Sequence, residues 1–333
     1  MRIIFVLIFL LCIFFSYSQV FSFFETEHST TSLSLGGDII TKLDDVSLTY
    51  KTPSLLNQSH KNSIGFDYVN YLNQIQLFSF IYANEFKNFG MYNIGLKNMS
   101  YGNFQGFDIN GFQTQEFQPN DIIFFTGLNK MIFKNITIGV NLELLNSNYE
   151  IYDAIAIVSN TSLSYNNIKK KIIISMSLNN FGKQIDSYTN NKDRIPLSLN
   201  FGISKSLKHL PFTYYLSIHD MQKFDISGPV QATQSYRNDE TILKKMFYHV
   251  NIGGELNPLK KNFFLRFGFN FQKRYQMIIR NRPQLIGFST GVGIKISQFT
   301  LDYAIISNHL SSFSNSFSLK MNLSNFVISG KKN

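Results

Sequence analysis

The chain contains no tryptophan and one cysteine, Cys12. A lone cysteine excludes an internal disulfide and a paired-cysteine metal site. Charge is scarce as well, at 16% of residues against roughly 25% in an average soluble domain. Acidic residues are the scarcer sign: 21 Asp and Glu stand against 31 Lys and Arg, for a formal net charge of +10. After the first few dozen positions no run of about 18 apolar residues remains, which excludes a helical membrane span. Catalytic signatures are missing too: there is no HExxH, no P-loop and no GxSxG. The six histidines (His28, His60, His209, His219, His249, His309) are scattered without a metal-ligand neighbour at useful spacing. Asp44, Asp45 and Glu116 are candidates for a carboxylate pair, but capping and loop solvation account for them more simply. The expectation is a non-enzyme with no cofactor and no metal.

What the chain does have is aromatic residues, 34 Phe and 17 Tyr among 333 positions, and a repeated alternation of polar and apolar positions. The first residues form a targeting segment: Arg2 is the positive end, Ile3 to Phe15 a short apolar stretch, and Ser16-Tyr17-Ser18 a small-x-small cleavage site. Removal of 1–18 takes away Cys12 and, with Arg2, one charge, so +10 becomes +9. Export to the cell envelope is expected. Lysine clusters such as Lys169 to Lys171 and Lys260-Lys261 fall in turn-like stretches, so solvated turns are expected there and no nucleic acid partner.

From Phe317 to Ser324 the alternation is unbroken: Phe317, Leu319, Met321 and Leu323 share one face, Ser318, Lys320, Asn322 and Ser324 the other. From Ser63 onward, fourteen such segments are predicted, each near the nine to eleven residues of a tilted transmembrane strand. Polar faces carry Glu143, Glu255, Arg266, Lys295, Asp302 and Lys320, which a wet lumen accepts more easily than a dry core. Connections alternate between short turns and longer stretches, the latter at 101–120, 147–153, 181–194, 221–246, 273–283 and 308–313. That sorting, with an even strand number and both termini on the short-turn side, predicts an all-β transmembrane antiparallel barrel with periplasmic termini. The boundaries expected are 1–18 signal peptide, 19–60 an N-terminal plug, 61–326 barrel and 327–333 a tail. Within the plug, Thr52 as N-cap and Pro53 at the first helical position mark a short helix. Phe326 shares parity with Lys320 rather than with Phe317, so a bulge or an earlier strand end is required if the last strand follows the usual aromatic ending.

Candidate partner-binding residues lie in the longer loops. Phe104, Phe107, Phe112 and Phe117 are interleaved with glycines in a stretch of little charge, which either folds into the barrel mouth or meets a partner. Tyr236 and Arg237 belong to a mixed-charge loop that is either solvated or a docking surface. Arg274, Arg280 and Arg282 form a basic patch suited to a solvated loop, to anionic lipopolysaccharide or to an acidic protein face.

Several stretches together resemble the PorQ family of the type IX secretion system of Bacteroidetes, within the wider group of FadL-like barrels: LGGD at 35–38, DDVSLTYKTPSLLN at 44–57, DYVNYL at 67–72, YGNFQGFDINGFQTQEFQPND at 101–121, IHDMQKFD at 218–225, HVNIGGELNP at 249–258 and RPQLIGFSTGVGIKI at 282–296. Thr52-Pro53-Ser54 stands where that family has Asn-Pro-Ala, and Phe224 where it has Trp. The resemblance implies a fourteen-stranded outer-membrane barrel in the surface attachment complex, anchoring a PorZ-like subunit beside PorU-like and PorV-like partners, with no catalytic residue of its own. The alternative is a FadL-like channel for hydrophobic small molecules, against which the polar inward faces count.

Overall fold

The computed structural model describes residues 21–72, 74–188, 192–226, 241–259, 262–276, 285–307 and 312–324. The leader, Phe326 and the tail lie outside them.

Alternation dictates the fold. On a strand, successive side chains point to opposite faces, so Phe66, Tyr68, Phe78, Phe80 and Tyr82 cover the outside while Asp67, Val69, Ser79 and Ile81 turn inward and are buried. Fourteen antiparallel strands close into a barrel. In chain order they are β1 (Ser63–Asn70), β2 (Gln76–Phe86), β3 (Gly90–Ser100), β6 (Asn120–Phe133), β7 (Ile136–Tyr149), β8 (Tyr152–Asn167), β9 (Ile172–Asp186), β10 (Ser198–Ser206), β11 (Phe212–Ile218), β12 (Val250–Leu256), β13 (Phe263–Asn270), β14 (Phe288–Ile296), β15 (Phe299–Ile306) and β16 (Ser314–Asn322). β4 (Phe104–Phe107) and β5 (Gln113–Phe117) form a separate two-stranded hairpin. Closure comes from β1 against β16, with Ser63 opposite Asn322 and Asn70 opposite Asn315. The last alternating segment of the sequence is therefore the closing strand. Outward Phe124, Leu142, Phe267, Leu301 and Phe317 remain exposed around the wall, and such an apolar belt requires a hydrocarbon surround.

Several boundaries differ from the sequence expectation: β9 runs on through Phe181–Asp186, expected in a loop, and Phe247 and Tyr248 are helical instead of beginning a strand. The stretch 147–153 is not a long loop: β7 and β8 run on to Tyr149 and from Tyr152, joined by a turn of Glu150 and Ile151. The polar residues there pair as extended backbone, Asn148 opposite Asp153, beyond the height at which a strand must be apolar. Phe271 does not continue its strand, because helix α3 (Phe271–Gln276) starts there. At Pro53–Leu55 the chain makes a single 3-10 turn, and the Thr52 side chain makes no cap hydrogen bond. The other helices are α1 (Thr30–Ser34) and α2 (Ile242–Tyr248).

β6 to β9 have 14, 14, 16 and 15 residues. A strand of sixteen residues, rising ~3.4 Å per residue at a tilt of ~40°, covers roughly 40 Å of barrel axis, against an apolar band of ~25 Å. One side of the wall therefore stands taller at the end carrying the long connections, here called the loop end.

The N-terminal segment from Phe21 to Asn62 fills the lumen. It has little regular structure, so its backbone groups need side-chain partners. Ser29 caps α1 by accepting from Ser32 N at 3.2 Å, and Asp45 caps the turn at Val46–Thr49 by accepting from Ser47 N at 2.9 Å. Gly36 and Gly37, at φ +101° and +90°, turn the chain after α1 in a conformation that side chains rarely adopt. The wall meets the plug with glycines: a methyl on Gly268 would overlap the Leu35–Gly36 peptide, and one on Gly139 the Pro53–Ser54 peptide. Wall stretches that are apolar on both faces are explained here as well, since Ile123 and Phe125 point inward, the Phe125 ring lying 4.9 Å from that of Tyr50 in the plug.

Candidate functional site

Two features of the lumen carry chemistry: a buried chain of charges that fixes the plug, and an aromatic cavity above it.

Of the charged wall residues expected to face water, Lys295 is exposed, but the other five are not. Glu143, Arg266, Asp302, Glu255 and Lys320 are all buried. The plug partners them. Lys42 Nζ donates to both Glu255 oxygens at 3.0 and 2.9 Å. Arg266 Nε donates to Glu255 Oε2 at 2.7 Å, and its other arm to Asp302 Oδ1 at 2.6 Å. Lys320 Nζ bridges Asp302 Oδ2 at 3.1 Å and Asp45 Oδ2 at 2.7 Å. Signs alternate along Lys42, Glu255, Arg266, Asp302, Lys320 and Asp45, and the plug supplies both ends. Burial alone would lower the Lys42 ammonium, yet Asp44 and Glu255 hold it well above its ordinary value. Burial would likewise raise the Asp45 carboxyl, and Lys320 holds it below the usual range. Across the lumen, Tyr50 Oη donates to Glu143 Oε2 at 2.8 Å, Asn160 donates to the other oxygen, and Asn141 Nδ2 donates to Tyr50 O at 2.6 Å. Lys97 Nζ donates to Phe23 O and Thr26 O at 2.8 and 2.7 Å.

Nearer the loop end the plug carries titratable groups. Burial raises the Glu25 carboxyl to about 7, with Asp220 adding to the effect. Burial would also raise Glu27, but Lys51, His28 and the Ser29 N–H bring it down to about 2. His28, against the Tyr50 ring at 5.1 Å and Ser47 O at 3.2 Å, is lowered by burial to about 3 and stays neutral.

Where the first plug residues meet the tall wall there is a cavity of about 330 Å³, lined by Phe21, Phe23, Tyr101, Asp121, Tyr149, Tyr152 and Tyr188. The topology assembles it: Tyr101 follows β3, Asp121 begins β6, Tyr149 ends β7, Tyr152 begins β8 and Tyr188 follows β9. Asp121 Oδ2 accepts from Tyr101 Oη at 2.5 Å and from Tyr149 Oη at 3.2 Å; Oδ1 accepts from Ser147 Oγ, which also meets Tyr188 Oη.

None of the sequence candidates among the described residues lines this cavity. Phe104, Phe107 and Phe112 stand exposed on the β4–β5 hairpin, at 47%, 61% and 71%, so they do not fold into the mouth. Phe117 stacks on Phe104 at 5.8 Å. Arg274 lies in α3 with its Cβ near Gly287. Tyr236, Arg237, Arg280 and Arg282 lie outside the described residues. His219 and His249 meet, their rings 6.1 Å apart, but no group of three metal-ligating side chains occurs among the described residues. The cavity residues escaped the sequence reading because they come from five separate segments. Their one shared signal is a tyrosine or an acid at a strand end.

No protein-family model and no curated protein sequence matches the chain. Solved structures do resemble it. A TodX monoaromatic hydrocarbon channel carrying the deltaS2S3 mutation superposes with a TM-score of 0.51 at 11% identity, over 88% of this chain and 97% of that one. The CymD monoaromatic hydrocarbon channel and a Pseudomonas aeruginosa FadL homologue each reach 0.49, at 11% and 9% identity, over 89% of this chain and 97% and 98% of theirs. At 11% identity the TodX likeness is one of fold alone.

Proposed function

We propose that the chain is a non-enzymatic outer-membrane barrel, its loop end outside and its termini periplasmic, that takes small apolar or aromatic molecules at its outer mouth in the manner of a FadL-like channel. The observation that carries this reading is the 330 Å³ aromatic cavity at the junction of plug and wall. Its size lies in the range of small-molecule sites, which are concave, mostly apolar and furnished with a few placed polar groups. A fold shared with a protein described as a monoaromatic hydrocarbon channel supports it. The lumen below is occupied, so passage requires the first plug residues to give way, whereas binding does not. The test is calorimetric titration of toluene into the purified barrel. Saturable binding that weakens in Phe23→Ala and Tyr149→Ala is expected; no saturable heat in the wild type refutes the reading.

A second reading is favoured by a different observation. The β4–β5 hairpin holds Phe104, Phe107, Ile109 and Phe112 in solvent, Ile109 being fully exposed, and exposed apolar groups on a projecting element suit a protein contact. In that reading the barrel is the PorQ-like anchor of a type IX attachment complex, holding a PorZ-like subunit among PorU-like and PorV-like partners, with lipopolysaccharide near the basic loop. Replacing residues 103–118 by a short turn and recovering the barrel from outer membrane tests it. Loss of the co-purifying surface subunit is expected, and its full retention counts against the hairpin.

A further inference from the structure

The mouth cavity has a second chemical character beyond being apolar. Among the described residues no lysine or arginine lines it, and the one charged side chain there is Asp121, buried to 97% and presented among six aromatic rings. Lys97 Nζ sits 4.5 Å from the Phe23 ring centroid, outside the lining, where it donates to the Phe23 and Thr26 carbonyl oxygens. Ring faces carry negative potential and attract cations. The tyrosine rings also meet at angles: Tyr149 and Tyr188 stand perpendicular with centroids 5.7 Å apart, and Tyr101 is tilted 43° to Tyr149 at 5.5 Å, while Phe21 stacks on Tyr188 at 5.8 Å and 23°. Parallel walls suit a flat hydrocarbon, whereas a corner of rings suits a compact rounded group. Asp121 holds three hydroxyl donors, from Tyr101, Tyr149 and Ser147, out of about four acceptor positions on a carboxylate, so one position remains on Oδ1. Those donors hold the carboxylate in place without bringing a positive charge to it.

We infer that the cavity takes a small organic cation, an ammonium group surrounded by apolar carbon, with the positive charge against Asp121 and the carbon on the tyrosine rings. This rests on the reading that the mouth cavity binds small ligands and narrows their class. The ligand class favoured is an amine or a quaternary ammonium compound, which the cavity binds more tightly than a neutral hydrocarbon of similar size held by the same rings.

The experiment compares isosteres on the purified full-length barrel: choline, its uncharged analogue 3,3-dimethylbutan-1-ol, and toluene, each titrated calorimetrically. Choline is expected to bind at least about 10-fold more tightly than the alcohol. Asp121→Asn is expected to remove that preference. Because the Asp121→Asn change also touches the Tyr101, Tyr149 and Ser147 contacts, Tyr152→Leu serves as a second variant at a half-exposed ring; it is expected to weaken choline several-fold and leave the alcohol unchanged. If toluene binds while choline is no better than the alcohol, the cation inference is overturned and the parent reading stands. If choline binds equally well in the wild type and both variants, it binds elsewhere and the inference is overturned. If none of the three probes binds, both readings fail.

Discussion

Arg266 is the residue on which the buried charge chain turns, since it holds Glu255 with one nitrogen and Asp302 with another. Removing one partner of a buried ion pair leaves an uncompensated charge, at a cost of about 3–5 kcal/mol. Arg266→Met is therefore expected to lower the unfolding free energy of the refolded barrel, extrapolated from urea titration, by an amount in that range. The double variant Arg266→Met with Glu255→Gln is expected to recover part of the loss, because the amide no longer strands a charge. Two plug residues set opposing pH dependences. His28 has a pKa of about 3 when folded and 6.5 as its ordinary value; between these the unfolded chain binds the extra proton, so stability falls as pH drops through that window. Glu25 has about 7 when folded and 4.5 ordinarily; the folded chain binds more protons between these, so stability falls as pH rises through that window. The two windows overlap from pH 4.5 to 6.5 with opposing slopes, so wild-type melting temperatures are expected to change little there. Glu25→Gln should leave stability falling as pH drops below 6.5, and His28→Gln should leave it falling as pH rises from 4.5 to 7; unchanged profiles contradict the assigned environments.

Among the elements, the plug and the hairpin differ in what holds them. The plug lies against bare backbone: no side chain at Gly268 separates the wall from the Leu35–Gly36 peptide. Gly268→Val is expected to leave the barrel closed, because a strand interior accepts valine, and to unseat the plug. Trypsin added on the open side should then cut at Lys42 and Lys51, which the wild type protects as a buried and a largely buried residue. The hairpin is held by its own pairing, Phe104 opposite Phe117 and Gln105 opposite Glu116. Phe107→Ser and Phe112→Ser are expected to change stability by less than about 0.5 kcal/mol, as exposed positions do. A larger drop in the urea midpoint means that these rings pack on the barrel. Most strands were legible at this scale because a period of two marks each one. The extra height of β6 to β9 was not, since Ser147, Asn148 and Asp153 read as loop by composition and become strand only by pairing across the hairpin.

For the molecule as a whole, the seated plug predicts an electrically silent barrel. Reconstituted in a planar bilayer, the wild type is expected to pass no steady ion current, while Gly268→Val opens conducting events. A large continuous current through the wild type contradicts the filled lumen.

The sequence by itself determined that the chain is an all-β barrel of fourteen strands with an irregular leading segment. Hydrophobic alternation is local, and closure follows from the absence of any strand that can afford an unpaired edge in hydrocarbon. Only the tertiary structure decided what faces what inside. Glu143, Glu255, Arg266, Asp302 and Lys320 read as residues of a wet channel until the plug supplies Tyr50, Lys42 and Asp45 from far along the chain. The cavity at the mouth likewise exists only where Phe21 and Phe23 meet tyrosines from separate strand ends. Contacts between inward faces depend on strand register and on where the plug lies in the closed cylinder, and neither leaves a periodic trace in one sequence.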